Sequence, residues 1–316
     1  MVIFFHVKKV SSSIYDVLKE EDYGRVHSVY TRTINIVLHK KIVALQPYGL
    51  QKTPMTISVQ EDDKAFNRLK IRRNDRVVLC KNYLSINRYR FDIRNYQLWD
   101  PKLDYLDLQL EDIDRQTIKY LSDLLKVYGS REGLRDIALF LVLKNFSNTF
   151  AGSGNNKSLL AKGLSMTNNL FALLKRGEVD RAVETMGGFI GLGPGLTPSG
   201  DDFLVGFISI LLIVETNMAL INEFRLKLIS KIASLLNKTT FLAGEFLKYS
   251  CKREFCQVFH DFFTALEEKN TNKILISTMA FIKLGHSSGS DSLSGIITGL
   301  VLIKELEVFF TGQIKI

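Results

Sequence analysis

The residues Gly191–Asp202 have the sequence GLGPGLTPSGDD, and a strongly apolar run follows them. A shortened copy occurs near the C-terminus, where Ser287–Ile297 aligns without gaps on Pro198–Ile208. The two segments share the pattern Ser-Gly-x-Asp-x-Leu-x-Gly. A glycine-containing loop therefore leads twice into an apolar helix. This repeat predicts two related halves that meet at one polar site.

The rest of the chain divides into a strand-rich part and a helical part. Short apolar segments with alternating polar residues, such as Arg88–Ile93, indicate strands in the first hundred residues. After Trp99-Asp100-Pro101 the apolar period becomes helical and stays so to about residue 306. We therefore predict an α+β chain with a β-rich barrel or sandwich at 1–105 and an all-helical domain at 106–316.

The composition limits the kinds of partner. The net charge is +9, but the basic residues form no long run, and no helix-turn-helix, zinc-finger or RNA-binding signature accompanies them. A small anionic metabolite is therefore a better candidate partner than nucleic acid. No apolar run reaches membrane-spanning length, and the N-terminus lacks a signal-peptide pattern. Three cysteines without metal-ligand spacing favour reduced thiols, so we expect a cytoplasmic protein.

The glycine loops have a structural and a functional interpretation. Thr197 or Ser199 can cap the first helix, and Ser199-x-x-Asp202 and Ser288-x-x-Asp291 both fit a capping box. The glycines exceed what a cap requires, however, and two helix N-termini facing each other would bind an anion. We predict that the following residues bind the ligand: Gly193, Gly195, Thr197, Ser199, Gly200, Ser287, Ser288, Gly289 and Asp291.

Three further residues are candidates for catalysis. Asp201 is not needed for the capping box, and beside Asp202 it can hold Mg²⁺ or act as a base. His286 lies inside the second loop, where it is either a surface residue or an acid/base group. The loop is not a nucleotide-binding P-loop, since no lysine follows its glycines, and no parallel strand precedes it as in a dinucleotide-binding fold. The loop at 151–156 is a plain connection or a hinge.

The first motif, read through Gly206, resembles the hallmark of the bacterial DUF2877 family, which includes the AllH-type subunit of oxamate carbamoyltransferase. The segment Gly285–Gly295 is similar to a second motif of that family, and Gly24–Val29 and Thr239-Thr240 match more loosely. The resemblance implies a role in allantoin breakdown. There, an assembly of three unlike subunits transfers a carbamoyl group between oxalurate and phosphate, giving oxamate and carbamoyl phosphate.

Three functions remain open at this point. The first is an anion-binding subunit of a carbamoyltransferase, associated with other subunits and using the pair Asp201 and Asp202 with His286. The second is a non-enzymatic sensor or scaffold that binds a small anion such as phosphate, carbamoyl phosphate or a carboxylate. The third is a transferase that depends on a Mg²⁺-nucleotide, since adjacent acids near a glycine loop can hold Mg²⁺-phosphate.

Overall fold

A computed structural model describes residues 2–103, 113–143 and 154–312. The chain forms two compact units. The first unit comprises Met1–Lys102 and Glu254–Val258, and the second comprises Leu103–Arg253 and Phe259–Ile316. In the described residues, no helix combines the length and the apolar character needed to cross a membrane.

The first unit is built around a β-barrel. Its strands are β1 Ile3–Ser11, β2 Asp22–Val29, β3 Ile34–Leu38, β4 Lys41–Pro47, β5 Thr56–Val59, β6 Arg76–Cys80, β7 Tyr83–Ile86, β8 Tyr89–Asp92 and β9 Gln97–Trp99. The neighbours follow the order β5-β4-β3-β2-β6-β7-β8-β1, and β5 also pairs with β1. This last pairing closes eight strands into a barrel, while β9 pairs in parallel with the second half of β1.

The barrel encloses an apolar core because alternate residues along each strand point inward. Val77 and Leu79 of β6 are buried, whereas Arg76 and Cys80 of the same strand are exposed. Strands β3 and β4 form a hairpin, and its turn at His39 and Lys40 has the positive φ angles of a two-residue hairpin turn. The predicted barrel or sandwich is therefore a closed barrel.

The described part of the second unit is helical, as predicted. The short helix α1 Asp63–Phe66 lies in the first unit. The later helices are α2 Arg115–Tyr128, α3 Arg135–Leu143, α4 Gly154–Lys175, α5 Val179–Gly187, α6 Ser199–Ile213, α7 Ala219–Leu235, α8 Phe241–Ser250, α9 Gln257–Glu267, α10 Thr271–Ile282 and α11 Ser288–Thr311. The loop predicted at 151–156 lies partly outside the described residues, and Gly154 begins α4.

The two motif helices, α6 and α11, lie side by side and run in the same direction. Ser292, near the start of α11, donates from its hydroxyl to the Asp202 carbonyl at 3.0 Å, and further along Gly299 faces Ile210. The contact is closest at two glycines. A Cβ at Gly206 would lie 1.8 Å from the Ser292 carbonyl oxygen, and one at Gly295 would lie 2.0 Å from the Phe203 carbonyl oxygen.

These glycines explain part of the repeated sequence pattern. Gly206 and Gly295 are equivalent in the ungapped alignment, and so are their contact partners Phe203 and Ser292. Each helix therefore uses its own motif glycine to approach the backbone of the other helix. The approximate two-fold relation places both helix N-termini at the same end of the pair.

We predict that Gly206→Ala lowers the free energy of unfolding by about 1–3 kcal/mol, because the added methyl group overpacks the contact with Ser292. Gly244→Ala in α8 is the matched control, since a Cβ there would come no closer than 3.4 Å to its nearest neighbour, the Leu236 carbonyl oxygen. The control should be neutral or stabilising through helix propensity. Urea denaturation of both variants measures the difference, and equal stabilities would contradict the close helix contact.

Candidate site at the paired helix N-termini

The two loops predicted to converge do so within the second unit. The Thr197 hydroxyl lies 3.2 Å from the Ser288 hydroxyl, which joins the end of the first loop to the start of α11. The N-terminal ends of α6 and α11 therefore bring their positive dipole ends together. The acids in the first turns of these helices are Asp201, Asp202 and Asp291.

The predicted capping boxes are wrong. Pro198 is the N-cap of α6 and Ser287 is the N-cap of α11, and neither makes a side-chain capping hydrogen bond. The aspartates interact across the pair instead. The Ser288 hydroxyl lowers the pKa of Asp202, and the Ser199 hydroxyl lowers the pKa of Asp291. Because the helices are packed together, each aspartate therefore lies near the first serine of the opposite helix.

Asp201 is bound by protein groups on both carboxylate oxygens. The Gly191 amide donates to Oδ1 at 3.0 Å, and the Thr239 hydroxyl donates to Oδ2 at 2.5 Å. The residue is 2% exposed, and burial raises its pKa, while these two hydrogen bonds oppose the rise. Asp201 therefore connects the first glycine loop to the segment before α8.

Asp202 and Asp291 form a pair of carboxyl groups, in which Asp291 is fully buried and Asp202 is half-buried with a buried Oδ2 atom. Asp291 is 0% exposed and accepts a hydrogen bond from the Leu134 amide at 2.6 Å on Oδ1. The Oδ2 atoms of both aspartates are buried and have no hydrogen-bond partner among the described residues. A buried carboxylate oxygen without a partner is costly, so the neutral acid is favoured.

The pKa values of this pair are shifted accordingly. Burial raises the pKa of Asp291 to about 7, against the lowering effect of its hydrogen bonds. Burial also raises the pKa of Asp202 well above its usual value, and the negative charges of Asp291 and Asp201 raise it further. Two carboxyl groups whose pKa values are both raised can therefore hold and exchange a proton at the meeting point of the two helices.

Several predicted ligand-binding glycines serve the packing of the protein itself. The Gly200 amide donates to the Leu192 carbonyl at 2.8 Å, and the Gly289 amide donates to the Leu284 carbonyl at 2.9 Å. A Cβ at Gly200 would lie 2.0 Å from the Phe189 carbonyl oxygen. Gly195 differs, because it is exposed at the tip of the loop with a φ of +98° and open space around it.

The remaining predicted residues lie around the pair. Gly193 has a φ of +115° and packs against Ser199. His286 is exposed, and its Nε2 lies 3.1 Å from Glu132 Oε2. Among the described residues, no group of three or more histidine, cysteine or acidic side chains has an arrangement suited to a metal ion. Of the adjacent residues Asp201 and Asp202, Asp201 accepts a hydrogen bond on each carboxylate oxygen, whereas Asp202 Oδ2 has no hydrogen-bond partner among the described residues.

Sequence reasoning missed the first part of the repeat. Phe189–Gly193 has the sequence FIGLG, and Phe281–Gly285 has the sequence FIKLG, directly before the aligned motifs. In both copies the phenylalanine carbonyl and the leucine side chain pack against the motif glycine. An insertion of three residues in the first loop separates the two parts, so an ungapped alignment does not find both. The sequence contains no comparable signal for Leu134, whose backbone amide donates a hydrogen bond to Asp291.

Comparison with known families agrees with this two-part organisation. A family model described as oxamate carbamoyltransferase subunit AllH matches residues 189–300, which include both motifs, all of α6 and the first half of α11. A second model, described as the AllH family N-terminal domain, matches residues 6–98, which include most of the barrel. Neither the curated proteins nor the solved structures gave a match to the chain. The two family matches together cover most of the chain, which belongs to an AllH-type family.

The buried pair predicts a specific dependence of stability on pH. The folded-state pKa of Asp291 lies above the unfolded value, so the folded protein holds protons that the unfolded chain releases between about pH 4 and pH 7. The free energy of unfolding should therefore fall as the pH rises through this window. Since one pKa unit corresponds to about 1.4 kcal/mol, Asp291→Asn should remove roughly 2–4 kcal/mol of this loss.

Urea denaturation across this pH range measures the effect. Asn retains an oxygen that can accept from the Leu134 amide, so the fold should be preserved. Asp180→Asn, an exposed change in the same unit, should leave the wild-type profile unaltered. An Asp291→Asn profile parallel to that of the wild type would show that the carboxyl is not buried in a neutral form.

Proposed function

We propose that the protein is a subunit of a carbamoyltransferase of the oxamate carbamoyltransferase type and binds an anionic substrate at the paired N-termini of α6 and α11. The family description and the geometry of the site both support this proposal. The observation that carries it is the pair Asp202 and Asp291, brought together from two separate motifs, each with a buried oxygen that lacks a partner.

The proposed chemistry follows from the charges at this site. In carbamoyl transfer from carbamoyl phosphate to oxamate, the bond from the carbamoyl carbon to a phosphate oxygen breaks, and a bond to the oxamate nitrogen forms. The nitrogen loses a proton, and phosphate leaves with the bonding electrons. The positive ends of two helix dipoles favour an anion in this position, and a neutral carboxyl group can donate a hydrogen bond to its oxygen.

The roles of the individual residues follow. Asp202 and Asp291, holding one proton between them, accept the proton from the nitrogen or protonate the leaving oxygen. Thr197, Ser199 and Ser288 orient the pair through their hydroxyl groups. His286 at the exposed rim is a further acid/base candidate, and Gly195 is the loop residue with open space for a ligand.

The proposal includes the cellular setting and the partners. Since the matched family model describes a subunit, we expect the protein to act in an assembly with unlike subunits. An exposed free thiol, Cys80, supports a reducing compartment such as the cytoplasm. A Mg²⁺ ion at Asp202 would have to take further ligands from the substrate, as Mg²⁺ commonly does at phosphate groups.

The test is phosphate release from carbamoyl phosphate and oxamate, measured with the protein alone and with the products of neighbouring genes. We expect turnover in the assembly and a loss of about 100-fold or more in kcat for Asp202→Asn, the effect typical of removing an acid/base group. Asp180→Asn should retain wild-type activity, because it is an exposed change elsewhere in the same unit.

Each outcome distinguishes the functions left open by the sequence. Binding of carbamoyl phosphate without turnover in any combination would make the protein a binding subunit or sensor. A thermal shift that needs nucleotide and Mg²⁺ together would favour a nucleotide-dependent transferase. Wild-type kcat in folded Asp202→Asn would reject the proposed catalytic role of the carboxyl pair.

A further inference from the structure

A groove crosses the outer face of the barrel and concentrates positive charge. Arg25 on β2 lies directly opposite Arg76 on β6, and both side chains are exposed. Like charges at directly opposite positions of neighbouring strands destabilise a sheet. The barrel therefore retains a pair of cations that its own folding does not favour.

The groove consists of two adjoining depressions. One has a volume of about 450 Å³ and is lined in part by Arg76, Tyr83, Asn87 and Arg90. The other has a volume of about 700 Å³ and is lined in part by Tyr23, Arg25 and Lys40. The two adjoin at Arg76, whose guanidinium lies 4.9 Å from the centre of the Tyr23 ring. We call this continuous feature the arginine groove.

The negative charge at the arginine groove is small. The residues that line the first depression include no carboxylate. The second includes Asp22, which already accepts a hydrogen bond from the His39 amide at 2.5 Å. The positive charge also affects His27, which lies on the same strand as Arg25. Burial lowers the pKa of His27 most, and the positive charges of Arg73 and Arg25 lower it further.

Exposed aromatic side chains accompany the arginines. Tyr23 is 69% exposed, and Phe4, which packs edge-on against Tyr83 at 6.0 Å, is 55% exposed. Val78 lies between them on the same outer face, in register with Tyr23 and Ser85. Arginine and aromatic residues around partly apolar contacts are the composition enriched in protein–protein interfaces.

We propose that the arginine groove binds an acidic segment of a partner protein. The partner belongs to the same assembly as the proposed carbamoyltransferase, so this inference rests on the proposed function in that one respect. Carboxylate side chains would pair with Arg25, Arg76 and Arg90, and bidentate arginine–carboxylate contacts supply both affinity and direction. Apolar residues of the segment would cover Val78 and the tyrosine rings. A protein segment fits this mixture of apolar and cationic positions better than a uniformly charged nucleic-acid backbone does.

The probe is a fluorescein-labelled peptide of alternating glutamate and tyrosine residues, and binding to the full-length protein is followed by fluorescence anisotropy. Arg25→Gln/Arg76→Gln should weaken binding by about tenfold. Arg176→Gln/Arg181→Gln removes the same charge from exposed positions of the second unit and should leave binding within about twofold of wild type. Equal losses in the two double variants would overturn the proposal, because the peptide would then respond only to net charge.

Cys80 provides a local measurement, because its exposed thiol belongs to the lining of the groove. Bound peptide should slow the alkylation of Cys80 by a maleimide, and an unchanged rate would overturn the proposal. An oligouridylate with the same number of charges is the comparison ligand. Tighter binding of the oligouridylate, with the same dependence on Arg25 and Arg76, would identify the groove as a nucleic-acid site instead.

The stability of the variant separates a lost contact from a lost fold. Arg25→Gln removes the repulsion with Arg76, so it should leave the melting temperature unchanged or raise it. Asp202→Asn should keep wild-type peptide binding, since Asp202 belongs to the other unit. Failure of the groove and failure of the catalytic proposal are therefore observed in different variants.

Discussion

The close contact between α6 and α11 is the constraint on which the candidate site depends. Gly206 and Gly295 let each helix backbone approach the other, and no larger residue fits at either position without a shift. With the helices packed this closely and running in the same direction, their first turns lie together. The half-buried Asp202 and the fully buried Asp291 are therefore neighbours; burial favours the protonated form of both carboxyl groups, and the charge of Asp291 raises the pKa of Asp202 further. The acid/base chemistry that we propose follows directly from this packing.

The site also uses segments far from either motif. The Leu134 amide binds Asp291, and the Thr239 hydroxyl binds Asp201, so the loops before α3 and α8 each hold one of the acids in place. A pair of aspartates on two isolated helices would turn toward water and ionise. The Leu134 amide holds Oδ1 of Asp291, whereas Oδ2 has no hydrogen-bond partner among the described residues. The carboxyl group therefore stays buried, and its protonated form is favoured. A ligand that supplies the missing contact would be bound selectively.

Much of the architecture could be predicted from local patterns in the sequence. The helical repeats and the β3–β4 hairpin are strong periodic signals, and the repeated motif correctly predicted that the two loops converge. The closure of the barrel could not be predicted, because it depends on the pairing of β1 with β5 and β8, which are distant in sequence. The capping boxes were wrong for a related reason. The pattern Ser-x-x-Asp is local, whereas each aspartate lies near the first serine of the opposite helix.

The protonation state of the buried pair is the central claim of this account, and infrared difference spectroscopy measures it directly. The carbonyl stretch of a protonated carboxylic acid is well separated from the bands of a carboxylate. At about pH 6, below the folded-state pKa of Asp291, the spectrum of the wild type minus that of Asp291→Asn should contain a protonated-acid band. This band should disappear as the pH is raised well above 7. A difference spectrum with only carboxylate bands at about pH 6 would contradict the account.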